Sequence, residues 1–295
     1  MTQAGDGESA EGWTIRKVVA WATDDLKKRG SSSPRLDVEL LLGEVLKLER
    51  LRLILDAERP LSKEELTAYR ALHKRRRAGE PIAYLLGRRE FYGRMFRVDK
   101  RVLVPRPDTE TLVEVALERT KHLSMCCRTL DLCTGSGCVA VTLAKERPTT
   151  GVVAADISVD ALRVTRENAF RLGAFNVGLA RADLFKGLAG LRGKLDLITA
   201  NPPYIPAGEI PTLMVDVRAF EPHLALSGGK DGLEIMRRLV ADAPGFLDEG
   251  GVLAVELGFG QAADVVALFE RAGFVEVAAR KDLGGIERVV SGVKG

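Results

Sequence analysis

From Thr129 to its C-terminus, the chain exchanges short apolar runs with amphipathic stretches at regular intervals, and few folds accept that pattern. Residues 129–132, 151–155, 176–180, 195–200, 251–257, 275–280 and 288–293 read as strands. Residues 138–145, 159–172, 233–247 and 261–272 read as helices between them. Near-continuous apolar strands separated by helices predict an α/β, doubly wound, Rossmann-like sheet of seven strands with helices on both faces. The pair Gly284-Gly285 predicts a hairpin that turns the last strand antiparallel.

The N-terminal third is different. Ile15, Val18, Val19, Ala22 and Leu26 fall at helical spacing and form one apolar stripe. Ser33-Pro34 is a helix start, with Ser as the cap. Val38, Leu41, Leu42 and Val45 continue an apolar face, and Ser62 with Glu65 forms a capping box for a third helix. That helix ends in Lys74, Arg75, Arg76 and Arg77, which the macrodipole favours there. The predicted organisation is a helical bundle over 1–85, a β-hairpin linker over 86–105 and the sheet domain over 106–295. Residues 1–12 are expected to be a disordered tail. The bundle holds no nucleophile or metal-binding pattern, so substrate recognition is the role expected of it.

Composition excludes several classes. A charged share of 29% beside 46% hydrophobic residues belongs to a globular chain that stays in water. A net charge of +3 gives no concentrated basic field for direct nucleic-acid binding. No apolar run approaches a membrane span. Cys126, Cys127, Cys133 and Cys138 form no CxxC pair and have no histidine at zinc spacing. They read as reduced thiols of a cytoplasmic protein, and no metal is expected.

Two segments carry chemistry. Asp131-Leu132-Cys133-Thr134-Gly135-Ser136-Gly137 lies between the first strand and first helix of the sheet, where glycines let the backbone approach a ligand. Asp156 ends the second strand, the position of an acid that takes ribose hydroxyls. Asp183, with Phe185 beside it, is placed to meet an adenine. The second segment is Asn201-Pro202-Pro203-Tyr204, which stops an apolar strand with two prolines. Their carbonyl oxygens and the Asn201 side chain suit a planar –NH2 group, and Tyr204 suits its face. The glycine loop also fits a dinucleotide pattern. Asp131 opposes a phosphate, however, and suits the ammonium of S-adenosyl-L-methionine. Site chemistry therefore favours methyl transfer to an amide or amino nitrogen over hydride transfer.

With those residues in hand, the chain resembles the release-factor glutamine methyltransferases, the PrmC/HemK family. The resemblance runs from about Trp13 to the C-terminus. It rests on Pro81-Ile82-Ala83-Tyr84 with Gly87, Pro105-Arg106-Pro107-Asp108-Thr109-Glu110, the glycine loop, Asp156, Asn201-Pro202-Pro203-Tyr204, Glu221-Pro222, Asp231-Gly232-Leu233 and Lys281-Asp282-Leu283-Gly284-Gly285. It implies methylation of the glutamine amide in the Gly-Gly-Gln motif of class 1 peptide chain release factors, with S-adenosyl-L-methionine as donor. It implies catalytic roles for Asn201, Pro202 and Tyr204. Cofactor contacts are expected from Asp131, Cys133, Thr134, Gly135, Ser136, Gly137, Asp156, Asp183, Phe185 and Asn201. Substrate contacts are expected from Asn201, Pro202, Pro203, Tyr204, Arg106, Thr109, Glu110 and Glu221. The family's usual first loop glycine is Cys133 here. The expectation is that this position tolerates φ below zero, or that cofactor affinity is changed. Two alternatives stay open: an amino-methyltransferase of DNA adenine or ribosomal RNA guanine, and a non-catalytic cofactor-binding module.

Overall fold

The computed structural model describes residues 12–123 and 127–295, so the expected tail, except Gly12, and Cys126 lie outside the described residues. The chain divides into two compact units, one ending at Leu86 and one beginning at Gly87.

The first unit is helical: α1 (Ile15–Lys28), α2 (Pro34–Leu46), α3 (Arg50–Leu55), α4 (Lys63–Arg77) and α5 (Ile82–Leu86). Its core joins Ile15, Val18, Ala22 and Leu26 of α1 to Val38, Leu41 and Leu42 of α2 and to Leu66 and Tyr69 of α4. The Ser62–Glu65 capping box is complete. Ser33 stands at the cap of α2 but makes no cap bond with its side chain. Its hydroxyl is drawn instead to the buried Asp37 carboxylate, at 3.2 Å, which Arg76 also reaches at 2.8 Å. The basic end of α4 is largely neutralised locally, with Arg75 on Glu80 and Arg77 on Asp25.

The second unit opens with a hairpin, β1 (Arg88–Phe91) and β2 (Arg94–Arg97). Tyr92 and Gly93 both take positive φ at its turn, as a tight two-residue hairpin connection requires. Phe91 and Phe96 meet edge to face at 6.0 Å and are fully buried with Leu112 and Val139. Each such side chain contributes roughly 1.5–3 kcal/mol by leaving water.

The sheet follows. Its elements are α6 (Glu110–Arg119), β3 (Arg128–Leu132), α7 (Cys138–Glu146), β4 (Gly151–Asp156), α8 (Val159–Arg171), β5 (Val177–Arg181), β6 (Leu195–Ala200), α9 (Val215–Arg218), α10 (Glu234–Asp242), β7 (Leu247–Glu256), α11 (Ala262–Arg271), β8 (Phe274–Lys281) and β9 (Glu287–Lys294). The strand order is β5-β4-β3-β6-β7-β9-β8. The first five strands are mutually parallel, and β9 runs antiparallel between β7 and β8. Alternate residues serve opposite faces. Leu197, Val252 and Ala254 join the core under α6, α7 and α8, while Ile198, Leu253 and Val255 join the core under α10 and α11.

One element differs from expectation. The helix read over 233–247 ends at Asp242, because Pro244 has no N–H to continue it and falls in a 3-10 turn. The next strand starts at Leu247, opposite Leu195, and loops out residues before pairing Val252 with Leu197. The chain leaves β3 toward β4 and β5 on one side, and toward β6 and β7 on the other. The carboxyl ends of β3 and β6 therefore form the switch point where ligands bind in such sheets.

Candidate active site

A cavity of about 360 Å³ opens at this switch point. Its lining includes Asp131, Cys133, Thr134, Gly135 and Ser136 from the glycine loop, and Asp156 and Asp183 from the strands beyond. It also includes Asn201 and Pro203 after β6, and Arg106 and Thr109 before α6. Residues far apart in sequence thus meet on one surface.

Asp131 is buried, and its two oxygens accept from the Thr134 hydroxyl at 2.6 Å and the Thr199 hydroxyl at 2.8 Å. Burial pushes its carboxyl up to about 6, against the pull of these two donors. Asp156 accepts from the Gly135 and Ser158 amides, both at 2.9 Å, so the acid at the end of β4 holds the glycine turn in place. Burial raises its carboxyl too. Asp183 receives Arg238 through both oxygens at 2.9 Å.

The glycine loop needs its last glycine. Gly137 has φ +79, and a Cβ there would meet Thr165 Cγ2 at 2.6 Å. It contributes close approach of loop and α8 and does not line the cavity. At Cys133 the first of the two alternatives fails: its φ is +55, so it takes the left-handed turn despite its Cβ. That geometry costs about 1–2 kcal/mol for a non-glycine residue. The side chain packs against the core as well as lining the cavity, and burial raises its thiol, which disfavours the reactive thiolate.

Phe185 is also corrected. It stacks on Phe246 at 4.5 Å inside the core, and Leu184 takes the cavity wall in its place. The left-handed backbone of Leu184, at φ +50, exchanges the two side chains between cavity and core. Glu110 is not on the cavity either: its carboxylate accepts from the Tyr92 amide at 2.8 Å. Glu221 stands behind the wall and receives Arg106 Nη2 through both oxygens at 2.8 Å. Its burial pushes the carboxyl up to about 7 despite Arg106.

The Asn201-Pro202-Pro203-Tyr204 segment is fixed from several sides. Asn201 Nδ2 donates to Thr109 Oγ1 at 3.3 Å, leaving Oδ1 as the open acceptor of a residue on the cavity. Pro202 is buried. The Tyr204 carbonyl accepts from Gln261 Nε2 at 3.0 Å, and its hydroxyl donates to Glu256 Oε1 at 3.4 Å. Gly232 is obligatory here, since at φ +79 a Cβ would lie 2.4 Å from the Tyr204 carbonyl oxygen. Thr109 stands at the cap of α6 but makes no cap bond with its side chain. The structure uses Asp108 on Arg288 and Thr109 on Asn201, and α6 enters through a 3-10 turn.

Glu256 is the residue sequence reasoning missed. It is 1% exposed, at the carboxyl end of β7, and burial pushes its carboxyl up to about 7. A lone acid closing the run Val252-Leu253-Ala254-Val255 was the available signal. A carboxyl in the unfolded chain ionises near 4.3. Between about pH 4.5 and 7 the folded chain therefore keeps a proton the unfolded chain has lost, so stability falls as pH rises through that window. Glu256→Gln is neutral throughout. Its melting temperature is expected to gain on wild type from about pH 5 to about pH 8. Thermal unfolding at both pH values checks this, and a constant difference would contradict it.

No helix among the described residues is long and apolar enough to cross a membrane, and no group of His, Cys, Asp and Glu among them could hold a metal ion. A seven-stranded sheet with this order, a glycine turn at its switch point and an Asn-Pro-Pro-Tyr loop facing it defines a methyltransferase. Residues 17–87 match the PrmC N-terminal domain, and residues 109–217 match the methyltransferase small domain. The chain is 45% identical to the release factor glutamine methyltransferase of Geobacter sulfurreducens, over 97% of this chain and 98% of that one. It is 42% identical to the enzyme of the same name from Rhodopirellula baltica, over 95% and 96%. A methyltransferase from Pyrococcus furiosus has the same fold, with a TM-score of 0.51 at 20% identity over 70% of this chain and 91% of that chain. The chain belongs to the release factor glutamine methyltransferase family.

Proposed function

We propose that the protein methylates the side-chain amide nitrogen of the glutamine in the Gly-Gly-Gln motif of class 1 release factors, with S-adenosylmethionine as donor. The observation that carries this reading is the state of Asn201: its NH2 is tied to Thr109, and its oxygen is open on the cavity. An amide nitrogen is a weak nucleophile because its lone pair is shared with the carbonyl. An acceptor placed on its N–H bonds turns that lone pair outward and stabilises the positive charge that grows during attack. Asn201 Oδ1 and the Pro202 carbonyl are assigned this role, with Tyr204 against the amide plane. Orientation of this kind can supply up to about 7–11 kcal/mol of a barrier. No strong base is needed for the first step, because the proton becomes acidic once nitrogen carries the methyl.

The donor set on the cavity suits the cofactor. Asp131 and Asp156 would repel a pyrophosphate and favour an ammonium and ribose hydroxyls, while Asp183, held by Arg238, suits an adenine amino group. When bound, S-adenosylmethionine supplies an electrophilic methyl group on a sulfonium. Asp156 would take the ribose, Asp131 with Thr134 the amino-acid end, and Leu184 would stand at the base in place of Phe185. Arg106, held by Glu221, and Thr109 would border the substrate entrance. The cytoplasm, where release factors work, is the assigned location.

The helical unit is assigned the binding of release factor away from its glutamine loop. A fragment of residues 87–295 is expected to methylate a short Gly-Gly-Gln peptide as the full chain does. Its KM for whole release factor should rise at least about tenfold, the signature of lost uniform binding. Steady-state kinetics on both substrates checks this, and an unchanged KM for the whole factor would remove the recognition role.

A further inference from the structure

We propose that Thr165 and Asn168 of α8 are positioning residues for the cofactor, which hold the glycine loop from behind and fasten it to the β1–β2 hairpin. The inference rests on the methyl-transfer reading above. Threonine and asparagine are poor helix formers, yet these two stand one turn apart in α8 and are fully buried. Each spends its polar atoms outside the helix. Thr165 Oγ1 donates to the Gly135 carbonyl at 2.9 Å. Asn168 Nδ2 donates to the Ser136 carbonyl at 2.9 Å and to the Arg97 carbonyl at 3.0 Å. Asn168 Oδ1 accepts from the Arg97 amide at 2.7 Å. Both hydrogens of the side-chain amide are thereby engaged, and these partners admit only one orientation of it.

A trans peptide sets its N–H opposite its C=O. Tying the Gly135 carbonyl back to α8 therefore turns the Ser136 N–H away from the helix, and Ser136 lines the cavity. Tying the Ser136 carbonyl does the same for the Gly137 N–H, which closes the turn on the Thr134 carbonyl at 2.8 Å. Asp156 holds the Gly135 amide at 2.9 Å. The loop is thus gripped by the acid assigned to the ribose and by two side chains that stay off the cavity. The hairpin belongs to the same arrangement. Asn168 takes both backbone polar groups of Arg97 on β2, and Glu110, next to Thr109 on the cavity, takes the Tyr92 amide at the hairpin turn at 2.8 Å. One hairpin therefore ties the cofactor loop to the segment assigned to the substrate entrance and keeps the two halves of the site in register.

The test uses the full chain, with the demethylated product S-adenosylhomocysteine as probe. Thr165→Val removes one hydroxyl and little else. Its Kd for the probe is expected to rise at least about fivefold, the scale of one lost hydrogen bond. Asn168→Ala frees three backbone groups and should raise Kd further while lowering the melting temperature; should it not fold, Thr165→Val carries the test. Asn176→Ala is the control for stability alone. It frees the Ala144 and Thr150 carbonyls, which do not line the cavity, so the melting temperature should fall with Kd within about twofold of wild type. In steady state, the KM for S-adenosylmethionine should rise in Thr165→Val with the KM for release factor within about threefold of wild type. Wild-type Kd in Thr165→Val, or a loss of affinity as large in Asn176→Ala, would overturn the proposal. Hydrogen exchange of the free protein reads the loop without ligand. The Gly135 and Gly137 amides should exchange at least about tenfold faster in Thr165→Val and as in wild type in Asn176→Ala. Wild-type exchange in Thr165→Val would also overturn it. If wild type itself failed to bind the probe or to methylate release factor, the functional reading would fall, while the exchange rates would still decide what Thr165 holds.

Discussion

Asn201→Ala is expected to lower turnover on release factor about 100–1000-fold, the usual cost of losing one preorganised electrostatic partner in a dry site. The fold should survive, because the only hydrogen bond the side chain makes among the described residues is the 3.3 Å contact to Thr109. Cofactor affinity should change little, since the acids assigned to the cofactor lie on other strands. Asn201→Asp separates two roles. It keeps an acceptor toward the substrate but replaces the NH2 that meets Thr109 with a second oxygen. The introduced oxygen can meet Thr109 only by taking its single hydroxyl proton, and the added charge is one the wild-type site does not carry. The aspartate variant should therefore be more active than alanine and well below wild type. Single-turnover rates with saturating release factor measure this directly. Wild-type turnover by Asn201→Ala would remove the proposed mechanism.

The second large effect is expected at Asp156. Asp156→Ala should weaken S-adenosylmethionine binding by roughly 1.5–3 kcal/mol, the range for hydrogen bonds to a charged group. A loop-tip position predicts little effect on folding, but the structure gives this side chain a second duty. It accepts from the Gly135 and Ser158 amides, and both donors would be left without it. A donor left unsatisfied out of water costs about 1–3 kcal/mol, and these two are part-buried, so the variant should also lose up to about that much stability and slacken the glycine turn. Calorimetric titration with the cofactor and chemical denaturation of the free protein separate the two losses. Unchanged affinity would place the ribose elsewhere, and unchanged stability would mean that solvent satisfies both amides.

The strands and helices of the sheet were legible because its central strands are continuous apolar runs and its helices amphipathic, whereas their order came from the structure. β6 stands at 195–200 as read, and the hairpin before β9 was announced by Gly284-Gly285. What failed depended on facts that no local pattern carries. The end of α10 turned on a single proline and on a strand that starts early to pair with Leu195. The exchange of Phe185 for Leu184 turned on one left-handed residue, and an aromatic is as welcome in a core as on a ligand. Cys133 was read from the cost of its Cβ, which argues for φ below zero; the turn itself imposed the opposite sign. The site was legible where its residues sit at strand ends, as Asp131, Asp156 and Asn201 do. Glu256 shows the limit, because a buried acid at the end of a strand acquires meaning only when the Tyr204 hydroxyl is seen to reach it.

The central claim is that this site delivers a methyl group to one amide nitrogen of one protein loop. The most direct measurement is to incubate the purified protein with purified class 1 release factor and methyl-labelled S-adenosylmethionine, and to map the modified residue by mass spectrometry. The account predicts a single methyl group on the side-chain nitrogen of the glutamine in the Gly-Gly-Gln motif, absent with Asn201→Ala. Label on another residue of the factor, or on adenine or guanine of added DNA or ribosomal RNA with the factor left unmodified, would contradict it.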